Sequence, residues 1–415
     1  MTTRRRFIIA SLAASAIARS PHAAESKAPV SIESLDRILA QPVIRTERLK
    51  APVIITSVDL LRMKTGEHVL RMRSKDGVEA FSMPNPGKIA VTQAVLLKNV
   101  APFFIGKDAR QIETLLWEVY RQSSNYKMQG LIFWAAVATV EMAVLELLAQ
   151  TAAVPLAELF GSTLRRDIPV YFASSNRGNT PADELKHLQS LVGSSGVKAI
   201  KWRAGGRMSR NADSPPGRTE TLVPLLRREF GDEMILHADS NSSYDAAEGI
   251  RIGRLMEEQR YGFFEEPCEF DDLWGTKQVT DALTMPVAGG EQEYSMHRWK
   301  WMIANRAVDI VQPDLHYGGG FIRATQVARM AASAGMTVVP HMSGGGLGYV
   351  EVVQFASFTP NIGTHMEFKG NASLPVEAAD STLVCRDGIV RCPAGVGFGI
   401  RFDPAFLAGG SAVKL

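Results

Sequence analysis

The sequence predicts two folded parts, an α+β domain followed by a closed (β/α) barrel, and three observations support this prediction. The chain has 415 residues, which is more than a single ordinary domain needs. Patterns typical of β-strands come first, at residues 53–82, and a series of helical patterns follows them. From residue 168 onwards, short apolar runs alternate with amphipathic segments, and there are eight such runs, the number of strands in a closed (β/α) barrel.

The α+β domain is placed at residues 45–165. Strands are predicted at residues 53–60, 68–73 and 78–81, the last one after a Lys-Asp-Gly turn. Apolar residues at helical spacing then predict helices at residues 91–100, 110–120 and 131–150, and a short helix from Pro155 to Gly161.

The barrel is placed at residues 166–378. Its strands are the near-continuous apolar runs expected of parallel strands buried on both faces, at residues 168–172, 199–202, 234–238, 261–264, 286–288, 308–312, 336–340 and 362–366. Amphipathic helices separate them, for example at residues 219–230, 246–258 and 322–334. The remaining segment, residues 379–415, contains strand-like pieces and is predicted to pack on the first domain.

The N-terminal residues 1–25 are predicted to be a twin-arginine signal peptide. Three arginines at positions 4–6 precede an apolar, Ala-rich stretch, and Ala23 and Ala24 form a small-residue cleavage region. This layout predicts export to a bacterial periplasm, and the alternative is a cytosolic protein with a basic N-terminus. No later segment is expected to span a membrane.

Composition argues against two other classes of site. The net charge is only +3 and the basic residues are scattered, so a nucleic-acid partner is not expected. The three cysteines do not have metal-thiolate spacing. Cys385 and Cys392 flank a predicted hairpin turn, where a disulfide and a pair of buried thiols are equally expected.

Charged or ionisable side chains end most of the barrel runs. They are Lys201, Asp239, Glu265, Glu291, Asp314, His341 and Glu367, and from Asp239 onwards they follow one another at steps of 23 to 27 residues. One strand, one helix and two loops have about this length. Because barrels of this kind place their chemistry at the carboxyl ends of the strands, the series predicts a single active site.

Asp239, Glu265 and Glu291 are the predicted metal ligands. At matched positions on strands about 4.8 Å apart, three carboxylates would repel one another unless a cation held them. Oxygen-only ligation selects Mg²⁺, Mn²⁺ or Ca²⁺. The alternative for each residue is a helix N-cap or a salt bridge. Asn241, two residues after Asp239, is expected to support a ligand or to bind substrate.

Asp314 and His341 end consecutive strands and form the predicted general base, because a carboxylate beside an imidazole fixes its tautomer and raises its basicity. Lys201 and Arg203 lie on one face of their strand and are expected to hold a substrate carboxylate or to act on the opposite face of the substrate. Glu367, if protonated, can donate a hydrogen bond near the metal. Four other histidines are predicted to be structural or peripheral: His237, His297, His316 and His365.

These segments together resemble the enolase superfamily and, within it, the mandelate racemase-like branch. The matching runs are residues 198–203, 238–241, 263–267, 289–291, 312–314, 340–342 and 365–367. The resemblance implies an α+β capping domain and a modified TIM barrel of (β/α)7β type. It also implies Mg²⁺ on the three carboxylates, His341 with Asp314 as a base, and Glu367 hydrogen-bonded to the enolate. The implied reaction removes a proton α to a carboxylate and stabilises the enediolate on the metal.

Specificity in this superfamily is implied to come from two capping-domain loops, at roughly residues 63–68 and 83–88. Lys64 and His68 are therefore candidate contacts for a polar or anionic part of the substrate. A homo-oligomer is also implied. The predicted partner is a small-molecule carboxylate, with no nucleic acid and no membrane after the signal is cleaved.

Arg203 departs from the superfamily pattern, which often has a second lysine base at this place. Arginine has a pKa above about 12 and is a poor proton acceptor. Dehydration of an acid sugar to a 2-keto acid needs only one base, so it is favoured over racemisation or epimerisation, which needs a group on each face. A non-catalytic periplasmic carboxylate-binding protein is a further alternative.

Overall fold

The structure is a computed structural model that describes residues 30–370 and 374–414. The predicted signal peptide therefore lies outside the described residues. The first element, α1 (Ile32–Leu39), begins at the N-cap Ser31, whose side chain accepts a hydrogen bond from the Ser34 amide. Its Asp36 pairs with Lys300 at 2.6 Å, which fixes this helix against the barrel.

The capping domain is an antiparallel sheet packed on helices, as the sequence predicts. Its elements are β1 (Ile55–Arg62), β2 (His68–Ser74), β3 (Glu79–Ser82), α2 (Ile89–Val95), α3 (Ala101–Phe104), α4 (Ile112–Arg121), α5 (Leu131–Ala152) and α6 (Leu156–Phe160). A π-helical turn, Leu96–Val100, joins α2 to α3. Helix α5 packs against β2 and β3.

Helix α5 corrects one expectation about membrane spans. Its 22 residues have a mean hydropathy of 2.0 in the most apolar window, so by length and composition it meets the criterion for a membrane span that no segment was expected to meet. Most of that window is buried inside the protein. A helix that is apolar all round is typical of a domain core, and α5 is the core helix of the capping domain.

The second domain is the predicted parallel barrel. Its elements are β4 (Asp167–Ala173), α7 (Pro181–Ser195), β5 (Ala199–Arg203), α8 (Arg218–Phe230), β6 (Ile235–Asp239), α9 (Ala246–Glu258), β7 (Phe263–Glu265), α10 (Leu273–Ala282), β8 (Val287–Gly289), α11 (Met296–Ala304), β9 (Ile310–Val311), α12 (Phe321–Ser333), β10 (Thr337–Val338), α13 (Gly348–Phe358) and β11 (Met366–Phe368). Neighbouring strands from β4 to β10 pair in parallel, β11 pairs with β4, and a bridge from Val338 to Ile362 closes the circle. Seven helices between these eight described strands confirm the (β/α)7β type.

The C-terminal segment contacts both domains. Its elements are β12 (Val376–Glu377), β13 (Ile389–Arg391), β14 (Arg401–Phe402), α14 (Pro404–Ala408) and β15 (Ser411–Ala412). Strand β15 extends the capping sheet beside β1, as predicted, but β13 pairs with β4 of the barrel. The segment therefore joins the two domains instead of packing on the capping domain alone. In the described part of the chain, the buried Cys385 and Cys392 are not joined by a disulfide.

Two buried carboxylates of α5 hold neighbouring parts of the fold. Glu141 accepts the Ile322 amide at 2.8 Å, at the N-terminus of α12, and Glu146 accepts the Phe398 amide at 2.8 Å. Burial raises the pKa of Glu141 to about 8 and that of Glu146 to about 6. The capping domain is thus tied to the barrel and to the C-terminal segment by polar contacts inside its core.

Strand register brings functional side chains to one end of the barrel. Arg203 of β5 lies opposite Asp239 of β6, and Asp239 lies opposite Glu265 of β7. Glu291 follows β8 by two residues. Because the strands are parallel, all these side chains meet at the carboxyl end of the barrel.

Candidate active site

Asp239, Glu265 and Glu291 form a carboxylate cluster. One oxygen of each lies within 4.8 Å of the others, and all three residues are buried. Asn241 donates to both oxygens of Asp239, from its backbone at 2.7 Å and from its side chain at 3.1 Å, and Gln312 donates to Glu265 at 2.9 Å. Glu265 Oε1 is buried and receives no hydrogen bond from the described residues. Three converging oxygen donors with an open acceptor fit a hard divalent cation such as Mg²⁺.

His341 lies beside this cluster and is oriented by Asp314. His341 Nδ1 is 2.7 Å from Asp314 Oδ2, and its Nε2 is 3.2 Å from Glu291 Oε2. Burial lowers the pKa of His341, but the carboxylates of Glu291, Glu367 and Asp314 reverse this effect and raise it overall. Burial raises the pKa of Asp314, but the hydrogen bond to His341, the charges of His341 and His316, and the Tyr317 amide more than offset this effect and lower it overall. The imidazole is thus held with Nε2 facing the cluster.

A second group of contacts fixes Asp314. Its Oδ1 accepts the amides of His316 and Tyr317, both at 2.8 Å, and the hydroxyl of Ser343 at 3.0 Å. His316 lies 2.8 Å from Glu351, and both are buried. The sequence prediction of a structural role for His316 fits this position, but the partner Glu351 carries no signal in the sequence because it lies on α13, away from any strand end.

Lys201 is enclosed by carboxylates. Its Nζ is 2.7 Å from Glu265 and 3.2 Å from Glu367, and the side chain is 0% exposed. Burial raises the pKa of Glu367, but Lys201 and His341 more than offset this and lower it overall. Glu367 also accepts the Met342 amide at 2.8 Å. These contacts are at odds with the expectation of a protonated, donating Glu367, because a carboxylate between two cations is stabilised as the anion.

Three guanidinium groups converge on the side-chain oxygen of Asn241. Arg177 donates to this oxygen at 2.5 Å, Arg203 at 3.4 Å and Arg207 at 3.2 Å, and we call these residues the arginine cluster. Arg203 also pairs with Asp239. Burial and the neighbouring guanidinium groups lower the pKa of Arg177 to about 9. Only Arg203 was predicted from the sequence, because Arg177 and Arg207 lie on loops after β4 and β5, where a basic residue is usually only solvated.

Glu266 is another residue that the strand-end series did not single out. It is buried next to Glu265 with a backbone φ of 43°, and Asn241 Nδ2 donates to it at 3.4 Å. Burial, and then the charges of Glu291 and Glu265, raise its pKa. The Glu265-Glu266 pair in the sequence indicated a second carboxylate at this place, but only Glu265 was predicted to be a metal ligand.

One of the two predicted capping loops packs against the site. Asn85 donates to Ser343 at 2.7 Å, and the Lys88 ammonium lies 5.8 Å from the ring centre of Tyr317. The loop at residues 83–88 therefore covers the residues around Asp314. Lys64 and His68 lie at the β1–β2 turn and make no hydrogen bond or ion pair with the site within the described ranges. Their contact with substrate stays a prediction.

Comparisons with known proteins agree with this architecture. Residues 43–161 match the mandelate racemase/muconate lactonizing enzyme N-terminal domain, and residues 183–406 match the enolase C-terminal domain-like family. The L-talarate/galactarate dehydratase of Salmonella typhimurium is 28% identical over 279 residues, which is 66% of this chain and 67% of that protein. The D-galactonate dehydratase of Ralstonia nicotianae is 24% identical over 365 residues, 85% of this chain and 93% of that protein.

Solved structures share the fold over most of the chain. A Roseobacter denitrificans protein, provisionally described as a racemase, is 32% identical with a TM-score of 0.79, and the match covers 87% of this chain and 99% of that protein. A mandelate racemase/muconate lactonizing protein of Paracoccus denitrificans, complexed with magnesium, is 23% identical with a TM-score of 0.77 over 87% and 99% of the two chains. At that identity the second likeness concerns the fold alone.

Proposed function

Since the chain belongs to the enolase superfamily, we propose that it dehydrates an acid sugar to a 2-keto acid with Mg²⁺ bound by Asp239, Glu265 and Glu291. The observation that carries the proposal is the His341–Asp314 pair, which faces the carboxylate cluster, while Arg203, a poor proton acceptor, pairs with Asp239. Relatives named as dehydratases of galactonate and of talarate/galactarate support the choice of reaction.

The proposed roles follow from the contacts of each side chain. When bound, Mg²⁺ or Mn²⁺ supplies positive charge that makes the proton α to a substrate carboxylate more acidic. His341 accepts that proton at Nε2, and Asp314 stabilises the imidazolium that results. Loss of the β-hydroxyl, with a proton returned to it from the imidazolium, releases water, and the enol product tautomerises to the 2-keto acid. Lys201 is proposed to orient the reacting carboxylate, and Glu367 to hold the Lys201 ammonium in place.

Racemisation or epimerisation is the second candidate, and the description of the Roseobacter relative favours it. It requires a proton acceptor on the face opposite His341. Arg203 is unsuited to this because a guanidinium stays protonated, and Lys201 is engaged by two carboxylates. The two reactions differ in a measurable way, because only dehydration forms a new carbonyl group.

A screen of acid sugars tests the proposal. The protein with Mg²⁺ is incubated with mono- and diacid sugars, and 2-keto acid is trapped with semicarbazide. We expect a product that EDTA and His341→Asn abolish. His297→Asn, the same change at an exposed histidine, is the matched control and should retain activity. Exchange of the α-proton for deuterium without keto acid would move the assignment to racemase or epimerase. Metal-dependent binding with neither signal would favour the carboxylate-binding protein.

We also propose that residues 1–25 direct export through the twin-arginine pathway to the periplasm. The domain matches begin at residue 43, which leaves this segment free for targeting. Replacing arginines 4–6 by lysines keeps the charge but removes the recognised pair, so we expect the protein to stay in the cytoplasmic fraction of a bacterial host. Equal periplasmic amounts of variant and wild type would contradict this. The predicted homo-oligomer is tested by the elution volume of the mature protein.

A further inference from the structure

We infer that the arginine cluster binds a second carboxylate of the substrate, so that the substrate class is the aldaric acids, which carry a carboxylate at each end. The inference rests on the proposed function and deepens it. Its basis is the contact set around Asn241, which places three guanidinium groups beside the carboxylate cluster.

The cations of the site differ in how their charge is balanced. Lys201 has Glu265 and Glu367, and Arg203 has Asp239. Among the described residues, however, Arg177 and Arg207 have no carboxylate within 4.0 Å. Arg177 donates only to the carbonyls of Ala204 and Gly205 and to Asn241, all of them neutral acceptors. A half-buried guanidinium without a counter-ion is costly, and an anionic ligand removes that cost.

The side-chain oxygen of Asn241 has too few acceptor positions for the donors that surround it. The amide oxygen of Asn241 has two lone pairs but faces three guanidinium groups. A carboxylate has two oxygens and about four acceptor positions, and it matches the planar fork of arginine in bidentate geometry. The nitrogen of the same amide donates to Asp239 at 3.1 Å, so the cluster borders the predicted metal site. One substrate molecule can therefore contact both.

Arg207 is exposed, but its backbone is held in place. It has a positive φ of 48°, and the next residue, Met208, donates its amide to the Asn241 carbonyl at 3.0 Å. Further along the same loop, Asn211 bonds to Asp245 at 2.7 Å. The loop is thus hydrogen-bonded to the turn after β6, so less conformational entropy is lost when Arg207 binds a ligand.

Arg218, a nearby arginine with a structural role in this barrel, provides a comparison. Arg218 is buried, lies 3.7 Å from Glu184 and donates to the Arg203 carbonyl at 2.7 Å. Its charge and its donors are used by the protein itself. The arginine cluster lacks this internal compensation at two of its three members, and for this reason we assign a ligand to it.

Matched acids test the inference because they differ only at the end distant from the reacting carboxylate. D-gluconate, D-glucarate and 6-phosphogluconate form one set, and D-galactonate and galactarate form another. We expect kcat/KM for the diacid to exceed that for the monoacid by at least about 30-fold in one set, as two lost charge-assisted bonds imply. Arg207→Gln should reduce this ratio at least tenfold. Arg210→Gln, at an exposed arginine of the same loop, is the control and should leave the ratio unchanged.

Binding to the inactive His341→Asn variant separates the two proposals. If calorimetry shows diacid preference that depends on Arg207 while no acid is dehydrated by the wild type, the inference stands and the proposed function fails. If monoacids are dehydrated as well as diacids, or if the preference survives Arg207→Gln and Arg177→Gln, the function stands and the inference is wrong. Stronger binding of 6-phosphogluconate than of glucarate would assign the cluster to a phosphate and overturn the diacid class.

Discussion

Replacing Asp314 by Asn tests the role of the His341–Asp314 pair most directly. Oδ1 of Asp314 accepts three hydrogen bonds, from His316, Tyr317 and Ser343, so the amide oxygen of Asn keeps this place. The amide nitrogen then faces His341 Nδ1, 2.7 Å away in the wild type. Because this nitrogen is a donor, Nδ1 must accept, and the proton of the neutral imidazole moves to Nε2. The nitrogen that should receive the substrate proton is then already protonated.

The size of the effect follows from this bond. A buried hydrogen bond to a charged group contributes about 2–3 kcal/mol, which corresponds to about 30- to 150-fold in rate. The reversed tautomer adds to this loss, so we expect kcat to fall by about 10² to 10⁴ and KM to change by less than about threefold. Steady-state formation of 2-keto acid measures both. Asp281→Asn, the same change at a surface carboxylate paired with Lys277, should have no effect. A kcat within about fivefold of wild type would refute the reasoning.

Three further predictions concern stability. Burial raises the pKa of Glu141 from 4.5 to about 8, so the folded protein loses stability as the pH rises through that window, by up to about 1.4 kcal/mol per pH unit. In urea unfolding, the stability of Glu141→Gln relative to wild type should therefore be greater at pH 8 than at pH 5. An equal stability difference at the two pH values would contradict this. At Gly397, with φ of +67°, an added Cβ would lie 2.1 Å from Glu146 Oε2, so Gly397→Ala should cost about 1–3 kcal/mol, clearly more than Gly66→Ala, which meets nothing within 4 Å. Saturating Mg²⁺ should stabilise the fold, by about 2.7 kcal/mol at a hundred times its Kd, and this gain should disappear in Glu265→Gln; a gain that persists there would place the metal elsewhere.

The sequence was informative where function follows secondary-structure periodicity. Asp239 and Glu265 end their strands, so the regular length of a βα unit was sufficient to place them side by side. His341 and Asp314 were also found, although each lies three residues beyond its short strand, because the predicted apolar runs at 308–312 and 336–340 extend further than the observed strands.

The residues that sequence reasoning missed are those whose position depends on three-dimensional folding of loops. Arg207 reaches the site because residues after β5 take positive φ angles and bond to the turn after β6, and nothing in the local sequence specifies this path. The partners of Lys201 were likewise not predictable, because Glu265 and Glu367 lie on strands that are distant in sequence. The additional pairing of the C-terminal segment with the barrel was not predictable either, because a strand of two or three residues can pair with any free edge.

Glu367 connects the two sides of the reaction centre. It lies 3.2 Å from Lys201 and 3.8 Å from His341, and Lys201 in turn contacts Glu265 while His341 contacts Glu291 and Asp314. Positive and negative groups thus alternate along a chain of contacts that runs from Glu265 through Lys201, Glu367 and His341 to Asp314, so a change of charge at one member alters the field at its neighbours. The effects of substitutions within this chain of contacts should not add, and a double-mutant cycle between Asp314 and Lys201 would show coupling between residues that share no contact.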